Sequence, residues 1–129
     1  MALCIGKSCS SQKAVKFMST AVARILGDLR DRGGLQNKDI ANIVDVSTAT
    51  VSRWSQGKAT PELRTQTVIS DLRYVVERLR DFYTPDETRL WLHSRHPLLN
   101  GERAIDLIYA KRTEEVLAAI ERMDAGGYL

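Results

Sequence analysis

The sequence predicts an all-α fold, with a helix-turn-helix over residues 37–54 followed by a small helical domain. Three observations lead there. The periodic stretches repeat their apolar residues at three- and four-residue spacing, and none shows the alternation a strand requires. Glycine pairs and proline-led caps punctuate those stretches as helix stops and starts do. Apolar residues make up 43 % of the chain but aromatic ones only 6 %, so the core is one of Leu, Ile and Val; 27 % charged residues complete an ordinary globular composition.

Taken in order, the first helix runs from about Gln12 to Arg32, with Val15, Met18, Val22, Ile25, Leu26 and Leu29 on one face, and Gly33-Gly34 stops it. After the helix-turn-helix, Thr60-Pro61-Glu62 reads as cap, proline at the first helical position and acid in the first turn. That helix extends to about Tyr83. Its row Val68, Leu72, Val75, Leu79 and Phe82, flanked by Ile69, Val76 and Tyr83, is wide enough to suggest a second packing partner, such as another subunit. Thr84-Pro85-Asp86-Glu87 repeats the start signal for a helix to His93; His96-Pro97 breaks it, and Asn100-Gly101 turns. Helix resumes over Glu102–Ala110, and Thr113 with Glu114-Glu115 caps a last helix carrying Val116, Leu117, Ile120 and Met123, which Gly126-Gly127 ends. The chain thus divides into a flexible tail over 1–11, a helix-turn-helix region over 12–59 and a helical domain over 60–129.

The segment from Asn37 to Trp54 carries the functional signal. Two short helices meeting steeply need a small residue at their closest approach, Ala41, and an apolar wedge, here Ile40, Val44, Val46, Val51 and Trp54. The corner favours a positive φ, which Asp45 tolerates at modest cost where other such motifs place glycine. Ser47 is placed to cap the second helix and Asn37 the first. With Val51 and Trp54 inward, Thr48, Ala49, Ser52 and Arg53 face outward from the turns that meet base edges in a major groove. Arg53 suits a guanine, Thr48 and Ser52 bases or phosphates, and Ala49 a thymine methyl; Asn37 and Lys38 suit phosphate. Trp54 serves as core or as a stacking surface, with core the commoner use.

Charge placement agrees. Residues 1–60 hold nine Lys/Arg against four Asp, or +5, whereas residues 61–129 hold ten against twelve acids, or −2, within a net charge of +3. A basic front half suits a polyanion. No apolar run reaches the roughly 20 residues that span a bilayer, and the start MALCIGKSCS has no apolar leader, so a cytoplasmic protein is expected. Cys4, Cys9, His93 and His96 would supply the ligand count for zinc, but the cysteines sit in the tail and the histidines at a distant helix end; no metal and no cofactor is expected. Those histidines could act as acid–base groups or simply stabilise a helix C-terminus. With no Gly-rich phosphate loop and no nucleophile–base pair, an enzyme with catalytic residues is not expected.

The front half, continuing to Gly57, resembles Xre/Cro-type helix-turn-helix domains. The back half carries Trp91-Leu92, His96-Pro97-Leu98-Leu99-Asn100-Gly101, Ala104-Ile105-Asp106-Leu107-Ile108, Glu114-Glu115-Val116-Leu117 and Gly126. It resembles the toxin-binding domain of the Xre/MbcA/ParS antitoxin family, which often has proline where Ala104 stands here. The resemblance implies a dimeric antitoxin that blocks a RES-domain, NAD-destroying toxin and represses its own operon at operator DNA. It makes Gly126, Gly127, Tyr128 and Leu129 a plausible blocking element, against the alternative of a chain end without a role. The competing expectation is an ordinary dimeric repressor with no toxin partner.

Overall fold

The computed structural model describes residues 20–125. Among them lie seven α-helices: α1 over residues 20–33, α2 Asn37–Val44, α3 Thr48–Ser55, α4 Leu63–Leu79, α5 Pro85–His93, α6 Ala104–Tyr109 and α7 Thr113–Asp124. Between α5 and α6 the chain makes a two-residue strand β1 (Arg95–His96), a 3-10 turn (Pro97–Leu99) and a strand β2 (Glu102–Arg103). The strands pair antiparallel, His96 opposite Glu102. The expected helix from Glu102 therefore starts two residues later, because Asn100 and Gly101 in the left-handed region turn the chain back on itself.

Several element ends follow local chemistry. The run of α1 stops where Gly34 takes φ +64, and a Cβ there would lie 2.8 Å from the Pro85 carbonyl oxygen. At the start of α5, Thr84 Oγ1 accepts from Glu87 N and Glu87 Oε1 accepts from Thr84 N at 2.9 Å, with Pro85 at the first position.

Other ends are set by packing. Pro61 is buried ahead of α4 and its carbonyl accepts from Gln66 Nε2 at 2.8 Å, so Glu62 rather than Thr60 precedes the first turn. Arg112, not Thr113, precedes α7; Thr113 is instead buried, its hydroxyl donating to Asp71 Oδ2 of α4 at 3.0 Å. Gln36 rather than Asn37 precedes α2.

Helix α4 is the axis of the molecule. Val68, Ile69, Leu72, Val75, Val76 and Leu79 are all buried, packed by α2, α6 and α7, while the Val76 methyl groups crowd Gly33 of α1. The wide stripe is thus consumed inside one chain and leaves only Phe82, 38 % exposed, at its end. Its width reflects neighbours on two sides of one helix rather than a surface for another subunit. Buried residues from both sides of Thr60, from Val22 to Met123, join in one apolar cluster.

Candidate nucleic-acid interface

Helices α2 and α3 meet through Ile40, Ala41, Val44, Val51 and Trp54, all at most 5 % exposed, with Val46 partly buried against them. Trp54 is therefore core. At the corner Asp45 adopts φ 60, ψ 52, the left-handed conformation expected there, and Val46 N donates to Ala41 O at 2.9 Å. Ser47 Oγ accepts from Thr50 N at 3.1 Å and so caps α3. The far end of α3 closes in a paired cap around Gly57 at φ +74: Lys58 N donates to Arg53 O at 2.9 Å and Gly57 N to Trp54 O at 3.1 Å. Gly57 thus belongs to the motif because it fixes where α3 stops.

With about 100° between successive residues, Thr48, Ala49, Ser52 and Arg53 fall on one side of α3, while Val51 and Trp54 fall on the other and are buried. Thr48, Ala49 and Arg53 are exposed; Ser52 is half-buried, and its hydroxyl accepts from Gln56 Nε2 at 3.3 Å. Gln56, exposed and one turn after Ser52, joins this face; the sequence assigns it to the following loop, but its N–H still donates to Ser52 O at 3.1 Å, so the helical period carries on to it. Lys38 and Asn37 lie together at the other end of the motif, on the first turn of α2. Asn37 does not cap that helix: its Oδ1 accepts from Arg30 Nη2 of α1 at 3.0 Å. Asp39 holds the cap instead, accepting from Gln36 N at 2.9 Å.

Charge on the front half is edited by the back half. Asp28 pairs with Arg73 at 3.1 Å, and Asp39 receives Arg89 Nη2 and Nε at 3.0 and 3.1 Å, while Arg32 pairs with Glu77. Burial pushes the Asp39 carboxyl up, but hydrogen bonds from Arg89 and Gln36 outweigh it and hold the group below its ordinary value. Glu77 shows the same balance: burial raises it, and Arg32 and Arg80 bring it lower than usual. Two of the front half's acids are thereby neutralised by arginines from beyond Thr60. Its cations Arg24, Arg30, Lys38, Arg53 and Lys58 make no ion pair among the described residues.

The remaining candidates lie elsewhere. His93 Nδ1 bonds the Arg89 carbonyl at 2.8 Å, and His96 Nε2 bonds the Trp91 carbonyl at 2.7 Å with its ring 4.4 Å from Trp91, so both imidazoles secure the end of α5. His93 lines a cleft of about 540 Å³ between α2 and α6, together with Asn42, Asp45, Arg103 and Tyr109. Among the described residues no group of three His, Cys, Asp or Glu gathers, and no helix is long and apolar enough to cross a membrane. Cys4, Cys9 and Gly126, Gly127, Tyr128 and Leu129 lie outside the described residues.

Comparison with known proteins sets this geometry in context. A probable mycobacterial cidal antitoxin of Mycobacterium tuberculosis is 34 % identical over 96 residues, covering 74 % of this chain and 82 % of that protein. The chain belongs to the mycobacterial cidal antitoxin family. Other members of that family, the MbcA antitoxins of M. tuberculosis and Mycobacterium bovis, are 29 % identical over 99 residues, covering 77 % of this chain and 88 % of theirs. A crystal structure of the M. tuberculosis MbcT–MbcA toxin–antitoxin complex contains a chain that superposes with a TM-score of 0.74 at 28 % identity, covering 84 % of this antitoxin-family chain and 97 % of that one. No family model matches the sequence.

Proposed function

We propose that this antitoxin-family protein neutralises a RES-domain toxin that destroys NAD, and represses its own operon through α2 and α3. It acts by occlusion and carries out no chemistry of its own. The observation that carries the first part is the likeness, over 97 % of the matched chain, to one chain in a crystal structure of a toxin–antitoxin complex. The second part is supported by the outward face of α3 and by Arg53 and Lys58 on it and at its end, which make no ion pair among the described residues. The labour divides near Thr60: residues 12–59 meet operator DNA, and residues 60–129 meet the toxin and a second copy of the chain. Both tasks place the protein in the cytoplasm, beside DNA and NAD. The tail Gly126, Gly127, Tyr128 and Leu129 supplies the blocking element, since its aromatic residue suits a partner's pocket. A homodimer supplies the two recognition helices that a symmetric operator requires.

The test separates the two activities. The protein is co-expressed with the product of the neighbouring toxin gene, and growth is measured beside repression of a reporter under the operon's own promoter. Deleting residues 126–129 is expected to lose growth rescue and keep repression. Arg53→Ala is expected to lose repression and keep rescue, weakening operator binding by about 1–3 kcal/mol with little change on random DNA. Full rescue by the tail deletion removes the tail from the mechanism, and no rescue by the intact chain beside any RES-type toxin refutes the partner.

A further inference from the structure

Arg30 and Arg32 lie two residues apart near the end of α1 and meet opposite fates. Arg32 is tied to Glu77 of α4, whereas Arg30 is exposed and makes no ion pair among the described residues. Its one side-chain hydrogen bond among the described residues is to an amide: Nη2 donates to Asn37 Oδ1 at 3.0 Å. A guanidinium carries five N–H donors in a planar fork, and a single bond to Asn37 leaves most of them turned to solvent. That bond also holds the fork against the first turn of α2, where the next side chain is the exposed Lys38. Nearby acids do not compete for it. Asp28 is taken by Arg73 and Asp39 by Arg89, and Asp31, the following residue on α1, stands about 100° round the helix.

We propose that Arg30, braced by Asn37 and working beside Lys38, is a DNA phosphate-contacting residue of this protein; the inference rests on the DNA-binding reading above. An arginine with a free planar fork bonds phosphate oxygens in bidentate fashion, and a contact of this kind adds affinity while carrying no sequence information. It extends the interface from α2 and α3 to the end of α1.

The experiment uses the full chain and a short random-sequence duplex, because a phosphate contact needs no operator. Binding is titrated between about 50 and 200 mM salt, and log K is plotted against log salt. Arg30→Gln is expected to lower the slope by about 0.9, so that affinity changes about 3.5-fold less across that range than in the parent. Arg30→Lys, which keeps the charge, is expected to keep the parental slope, as is Arg122→Gln, an exposed cation on α7 with no ion pair among the described residues. A parental slope for Arg30→Gln overturns the assignment while leaving the DNA-binding reading intact. An equal loss in Arg30→Gln and Arg30→Lys overturns it too, and makes the bond to Asn37 merely structural. Absence of salt-dependent binding by the parent refutes the DNA-binding reading itself, and this inference with it.

Discussion

Removing the Arg89 side chain tests how firmly α2 is fastened to α5 and the back half of the molecule. Asp39 of α2 has a side chain only 6 % exposed, and Arg89 of α5 closes on it with two hydrogen bonds at 3.0 and 3.1 Å. In Arg89→Ala the carboxylate keeps one partner, Gln36 N. Breaking a fully buried pair costs about 3–5 kcal/mol, but the Arg89 side chain is 38 % exposed, so water can reach the vacated site. Discounted for that access, the expected loss is about 2 kcal/mol, or roughly 6–10 °C in melting temperature for a chain of this size. The assay is urea unfolding near neutral pH, read as a shift in midpoint at constant slope. Asp39→Asn combined with Arg89→Ala leaves no buried charge, and the double variant should be more stable than the sum of the two single losses.

The same pair predicts the acid limb. Asp39 is held below its ordinary value in the folded state, so its contribution is complete above the normal carboxylate range and disappears as pH falls through the lowered folded value. In Arg89→Ala the upward push of burial loses its main opponent, and the acid loss shrinks or reverses. A midpoint shift worth less than about 0.5 kcal/mol, the level of an exposed pair, together with an unchanged acid limb, refutes the reasoning.

Three further substitutions probe single positions. Gly34→Ala combines a left-handed backbone with a Cβ 2.8 Å from the Pro85 carbonyl oxygen, and should lower stability by about 2–3 kcal/mol in the same urea assay. Asp45→Gly relieves the αL cost at the corner and should raise stability by about 0.5–1 kcal/mol, with no loss of DNA binding in a mobility-shift titration. Thr88 is fully buried and its hydroxyl has no partner among the described residues, so Thr88→Val should raise the melting temperature by a few degrees, about 1 kcal/mol; a lower melting temperature means the hydroxyl is satisfied by another group, such as buried water.

What could be read from sequence was what short-range chemistry decides. Thr84-Pro85-Asp86-Glu87, Ser47, Asp45 and Gly34 each set a helix end through bonds or dihedrals within a few residues, and each lies where the sequence placed it. Thr60-Pro61-Glu62 looks the same locally, yet Pro61 is drawn into the core and the helix waits until Leu63. Thr113 fails as a cap for a similar reason, since Asp71 from 42 residues away takes its hydroxyl. The stripe on α4 showed the right residues but not what would cover them. In the candidate interface, the outward set on α3 follows from helical period alone; the bond between Arg30 and Asn37, and the ion pairs that neutralise Asp28 and Asp39, join residues on different helices and have no signature in spacing.

The position of α4 has a consequence for how long both proposed activities would persist. Because one apolar cluster runs from Val22 to Met123 across this helix, neither half retains a closed core when the chain is cut near Thr60. A protease that opens either half exposes the other, so the proposed DNA binding and toxin binding should decay with a single lifetime. Point substitutions or removal of residues 126–129, not a cut near Thr60, are then the means of separating the two proposed functions, and the abundance of one folded species would set both.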